Sequence, residues 1–177
     1  MSTSTSQRQI IVWDGIVRGV HWGITALVLI NFINDSGSEW HRYMGYACVI
    51  LVLIRLCWGL ISRGYGHFSQ WKPNAQNLKA YFHAILAGHP PRHLGLNPAG
   101  ALMALLLWAL LIALGISGWM MRLDAFWGEE WLQNVHAVFA YTLLTCIAIH
   151  VISVIAMSIR HKENLAKAMV TGKKRSL

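Results

Sequence analysis

Four stretches of the chain stay apolar for about the length of a membrane crossing, and polar residues return between them. They cover about residues 16–34, 40–62, 99–121 and 131–157. The first is the shortest: its charge-free part, 19–34, borrows Ile16 and Val17 to reach length. The second is interrupted by Arg55, the third carries no charge, and the fourth holds no acidic or basic residue but His136 and His150. A spanning helix needs about 20 apolar residues. No stretch shows strand-like alternation between turns, and in lipid every backbone group must be bonded within its own segment. The pattern predicts an all-α integral membrane four-helix bundle, one domain over residues 1–177.

Between spans two and three, "NAQNLKAYFHAILAG" carries a helical apolar stripe of Leu78, Tyr81, Phe82 and Ile85. This predicts a short helix lying on the membrane face; the tail "ENLAKAMVTGKKRSL" has a weaker form of the same pattern. The polar start "MSTSTSQRQI" and the lack of a small-x-small cleavage pattern after the first apolar run favour an uncleaved first span.

Composition agrees: 55% hydrophobic and 12% charged residues are too apolar and charge-poor for an ordinary soluble domain. The net charge of +8 raises the question of nucleic acid, and its distribution answers it. Arg8 and Arg18 precede span one, Arg63, Lys72, Lys79 and Arg92 lie between spans two and three, and Arg160, Lys162, Lys167, Lys173, Lys174 and Arg175 follow span four. Asp35, Glu39, Asp124, Glu129 and Glu130 occupy the two opposite loops, with Arg42 and Arg122 near helix ends. The positive-inside rule then puts both termini in the cytoplasm of a multi-pass inner-membrane protein, and membrane topology explains the charge without nucleic acid. Trp40, Trp119, Trp127 and Trp131 near the outer ends, and Trp13, Trp58 and Trp71 near the inner ends, are expected to form aromatic belts. Cys48, Cys57 and Cys146 lie in apolar runs without a C-x-x-C pair and are expected to be buried free thiols.

The histidines carry the candidate chemistry. Fourteen residues separate His136 from His150, an advance of about 21 Å and a rotation about 40° short of four turns, so both lie on one helix face. With both termini inside, His21 and His150 share the inner level, and His41 and His136 the outer. A single histidine in a span is commonly a satisfied polar group between helices. Ionisable groups in a membrane nevertheless point to function, and two stacked imidazole pairs suit two bis-histidine haems. Zinc wants about four ligands at one level, which the pairs do not offer. Arg18, one turn before His21, and Arg55, fourteen residues after His41, could hold haem propionates; Arg55 could equally snorkel to the interface. Arg42 and Arg122 are weaker candidates at the outer level. Gly45, Gly115 and Gly118 permit close approach of a macrocycle or of another helix. Asp14 and Arg18 form an i, i+4 pair. His67, His83, His89, His93 and His161 lie in loops or the tail and are expected to stay outside the site.

The stretches "VRGVHW", "EWHRYMGY", "IRLCWGLISRGYGHFS", "LGLNPAGALM", "NVHAVFAYTLLTCIAIHV" and "ENLAKAMVTGKKR" resemble, in order, the bacterial di-haem cytochrome b561 family. They are most similar to the b-type cytochrome subunits of membrane-bound nickel–iron hydrogenases and their small stand-alone relatives. One departure is Gly95-Leu96-Asn97-Pro98, where such proteins more often read G-H-N-P. The resemblance implies a four-helix, di-haem, quinone-linked electron carrier with His21, His41, His136 and His150 as axial ligands. A bis-histidine iron has no open position, which favours electron transfer over oxygen chemistry and leaves no catalytic residue to assign. The expected function is electron transfer between the quinone pool and a periplasmic redox partner, a c-type cytochrome or a hydrogenase-like enzyme, in a respiratory chain. Two other readings stand beside it: a non-haem assembly subunit whose histidines cross-link helices, and a histidine-lined proton or metal transporter.

Overall fold

The computed structural model describes residues 9–34, 37–71 and 74–176; Arg8, Asp35 and Lys72 of the charge pattern lie outside them. Among the described residues there are six helices. Helix α1 (Gly15–Ile33) begins where the Asp14 carboxylate accepts the Val17 N–H at 2.9 Å. Ser38 caps α2 (Glu39–Ile61), Asn74 caps α3 (Ala75–Leu86), and Asn97 caps α4 (Pro98–Met120), whose first turn opens on Pro98. Asn164 caps α6 (Leu165–Thr171). These short polar side chains satisfy N–H groups that have no partner inside the helix, and Pro98 has no N–H to satisfy. Helix α5 (Glu130–Arg160) has no side-chain cap; it carries Glu130 in its first turn and Arg160 in its last, both favourable to the helix dipole.

Helices α1, α2, α4 and α5 are long and apolar enough to cross a membrane. They begin within a residue of the predicted spans; α5 runs three residues further, to Arg160. Helix α1 packs along α2, α2 along α4 and α4 along α5; α1 and α5 make no comparable seam. The core between them holds Val28, Cys48, Val52, Leu110, Leu111, Leu143 and Cys146. A side chain on Gly115 would run into Val49, so the α2 and α4 backbones approach closely there. Outward faces are apolar, with Leu29, Ile50, Leu60, Ile152 and Ile159 all exposed, as hydrocarbon rather than water demands. Cys57 corrects the expectation of three buried thiols: it is free but exposed on this outer face.

The spans alternate in direction, so both termini meet at one end of the bundle, here the basal end. There β1 (Gln9–Ile11) pairs antiparallel with β2 (Lys173–Arg175), Ile10 opposite Lys174. The N–H groups of Val12 and Trp13 both donate to the Gly172 carbonyl, at 2.8 and 3.1 Å. Arg18 Nη1 donates to the Val170 carbonyl and Trp22 Nε1 to that of Met169. This clasp of the two ends is absent from the sequence reading, which expected no strand. Three-residue strands are too short to alternate, and their partners lie more than 160 residues apart.

The clasp also changes the reading of the basal tryptophans. Trp13 is buried at 5% exposure among Val12, Val17 and neighbours that include Leu96, the residue at the family departure. Trp58 Nε1 donates to the Asp14 carboxylate at 3.0 Å, and Trp71 packs against Trp108. These rings are internal struts. The distal tryptophans, Trp40, Trp119, Trp127 and Trp131, are exposed.

Candidate functional site

The four histidines of the spans lie half-buried within the bundle. His41 stands in the first turn of α2, where its backbone N–H donates to the Ser38 cap at 3.1 Å. That cap fixes its height near the distal end. His136 lies two turns into α5 at the same end. The two rings face each other with centres 6.3 Å apart and planes 60° apart. His21 on α1 and His150 on α5 occupy the basal half.

The surroundings of the rings differ. His136 Nδ1 lies 2.8 Å from the Ser117 hydroxyl on α4. The Nδ1 atoms of His21 and His41 are buried, with no hydrogen-bond partner among the described residues. One turn beyond His41, a Cβ on Gly45 would meet nothing within 4 Å, so bare backbone borders open space. A Cβ on Gly118 would stand 3.5 Å from His136 Cε1, so the ring has van der Waals room and no more.

Arg55 does not snorkel. It is 4% exposed. Its guanidinium lies over the rings of Phe68, Trp71 and Trp108 at 5.5, 5.2 and 5.4 Å, and Nη2 donates to the Gly66 carbonyl at 2.9 Å. Ring faces attract a cation most strongly when water is excluded. Its Nη1 and the nearby Trp71 Nε1 are buried, with no hydrogen-bond partner among the described residues. Arg18 is committed to backbone carbonyls of Asp14 and Val170. The expected Asp14–Arg18 side-chain pair therefore does not form: the Asp14 carboxylate serves the Val17 N–H and Trp58 instead. Arg42 pairs with Glu39 at 3.1 Å, and Arg122 lies over Trp127. Among the loop histidines, His67 is bonded to Ser69 and the Leu60 carbonyl, and His89 to the Ala87 carbonyl. His93 packs edge-on against Tyr81.

The family model for prokaryotic cytochrome b561 matches residues 12–172. The chain belongs to the prokaryotic cytochrome b561 family. It is a multi-pass bacterial membrane b-type cytochrome that binds haem b and transfers electrons. A search of the curated proteins found no match.

The residues present fit that cofactor. A metal–imidazole bond is about 2 Å and a ring nitrogen lies about 1.1 Å from its ring centre, so two imidazoles held by one ion would sit about 6.2 Å apart. The His41 and His136 ring centres, 6.3 Å apart, are close to that separation. Among the described residues, no three His, Cys, Asp or Glu side chains gather as a metal cage would need. The unclosed α1–α5 seam and the bare wall at Gly45 leave space for a flat group between helices. Ser117 was not singled out from the sequence. A serine among apolar neighbours in "LGISGW" is a visible signal, but which helix face it shares with His136 is not.

Proposed function

We propose that this cytochrome holds two haem b groups, one between His41 and His136 and one between His21 and His150. The facing of His41 and His136 at 6.3 Å is the observation that carries the reading. Bound there, haem supplies a one-electron carrier that needs no open coordination position. The protein's own part is to hold each imidazole as a neutral ring, to keep water away and to set the two sites at different depths. His136 and His150 achieve the last from one face of α5.

The chain carries electrons between the quinone pool and a periplasmic redox partner, a c-type cytochrome or hydrogenase-like enzyme, as the electron-transfer subunit of a respiratory chain. The basal end lies at the cytoplasmic side of the inner membrane. Support comes from its basic residues, Arg63, Arg92, Arg160, Lys162 and Lys167, against Glu39, Asp124, Glu129 and Glu130 at the distal end. The short helix α3 lies at the cytoplasmic membrane face. Its Tyr81 is buried and its Phe82 exposed.

At the basal end, Arg55 Nη1 is a buried donor held ready for a haem propionate or a quinone oxygen. A buried polar group without a partner costs about 1–3 kcal/mol, more when charged, so an acceptor there is strongly favoured. Arg18 flanks the same level, held by the clasp. Adding a quinol to the pure oxidised protein without oxygen tests the electron donor: haem absorption should turn to the reduced form. A protein that dithionite reduces but no quinol reduces would remove the quinone from the reading.

A further inference from the structure

Ser117 is 4% exposed on α4, and its hydroxyl sits between two acceptors. It lies 2.8 Å from the Ala113 carbonyl and 3.2 Å from that of Leu114. On its other side His136 Nδ1 stands at 2.8 Å. A carbonyl oxygen only accepts, and a hydroxyl has one hydrogen. Two oxygens at 2.8 Å with no hydrogen between them repel, so the serine hydrogen points back along its own helix, as buried helical serines do. Its oxygen is then left as an acceptor. A bare Nδ1 lone pair at 2.8 Å from it would repel as well, so Nδ1 carries the hydrogen and donates. The order is Nδ1–H to Oγ, and Oγ–H to the Ala113 carbonyl. A neutral ring with its hydrogen on Nδ1 has its lone pair on Nε2.

We infer that Ser117 is the positioning residue of the distal site: it fixes the tautomer and angle of His136, presents Nε2 to the iron and lowers that haem's potential. The inference rests on the proposed ligand role of His136. A ligating imidazole that donates its other N–H to an acceptor becomes a more basic ligand. A more basic ligand favours ferric iron over ferrous, which lowers the potential; hydrogen bonding behind the ligand is one of the protein's levers on it. The Nδ1 atoms of His21 and His41 have no such partner among the described residues. Ser117 therefore acts on one haem and leaves the other alone.

The test uses the full chain, purified in detergent, as wild type, S117A and S117T, with His136→Ala to mark which haem is distal. Haem per chain, the midpoint potential of each haem, and the electron paramagnetic resonance g-values of the oxidised protein are measured. S117A should keep two haems, with the distal potential shifted upward, its g-values changed and the basal haem unmoved. S117T restores an oxygen that can bond back to the helix, and should return both readouts toward wild type. Selective loss of the distal haem in S117A with recovery in S117T also supports the inference, since losing such a partner weakens metal affinity about 10- to 100-fold. Unchanged potentials and g-values in S117A overturn it. So does loss of both haems together in S117A, which would mark a packing serine. A wild type whose haem content His136→Ala leaves untouched would instead sink the ligand reading beneath it.

Discussion

The imidazoles of His41 and His136 meet across the bundle with ring centres 6.3 Å apart and planes 60° apart. Neither helix could set this alone. The Ser38 cap holds His41 in the first turn of α2, and Ser117 holds His136 from α4. The His136 ring is thus held by a hydrogen bond outside the pair, and the His41 ring is placed through its capped backbone.

The ligand variants follow from that pairing. His41→Ala and His136→Ala should each lose about half of the bound haem, and the same half. His21→Ala and His150→Ala should lose the other half. Haem per chain and the potential of the surviving haem distinguish the two sets. Loss of different haems from His41→Ala and His136→Ala would break the pair.

Arg55→Leu removes the guanidinium from the aromatic cage and keeps an apolar side chain there. Quinol-driven haem reduction should slow by about tenfold or more, since a hydrogen bond to a charged group contributes about 1.5–3 kcal/mol. Dithionite reduction and haem content serve as controls. An unchanged quinol rate with both haems present would release Arg55 from any part in quinone binding.

The clasp has a single backbone position that tolerates little. Gly172 adopts φ +78°, and a Cβ there would collide with the Trp13 carbonyl. Gly172→Val should weaken the clasp by at least the ~1–2 kcal/mol cost of a left-handed residue. That is about a five- to thirtyfold rise in local opening. Faster amide hydrogen exchange at Val12 and Trp13, with the spans unaffected, is the expected result; exchange equal to wild type would count against it.

Acid should loosen the same end. Burial alone would raise the Glu163 carboxyl, but hydrogen bonds from Arg92 and the Arg175 backbone, with the charges of Arg92 and Lys174, outweigh it and hold the carboxyl low. Its contacts are a bidentate Arg92 pair with one arm at 2.9 Å and the Arg175 N–H at 3.0 Å. The unfolded tail protonates first, near the usual glutamate value of about 4.3, so this stability is present above that pH and lost as pH falls through the lower folded value. His93, through burial and then Lys174, and His161, through burial and then Arg92, are also held below their ordinary values. They begin to cost stability earlier, as pH drops below about 6.5. Exchange at β2 amides against pH should therefore rise in two stages. Glu163→Gln should abolish the lower stage; a profile identical to wild type would show that Glu163 does not hold the clasp.

The four spans were legible because membrane helices obey one local rule, apolar length. The ring pairs were legible as depth: His136 and His150 share a face by helical arithmetic, and His21 and His41 match them in level. What was hidden depends on contacts between distant elements. Arg55 read equally as a snorkelling residue, because the cage around it comes from Phe68 and Trp71 in a loop and Trp108 on another helix. Trp13 read as a belt residue, because its cover is the tail some 160 positions away. Ser117 stood out only as a serine in an apolar run; its bond to His136 depends on how α4 is rotated against α5.

The most direct measurement is a reduced-minus-oxidised visible spectrum of the pure protein, with haem per chain counted as the pyridine adduct. Two low-spin b-type haems per chain are predicted. One haem per chain would contradict the two-site arrangement, and a chain that stays colourless after haem is supplied would return all four histidines to helix packing.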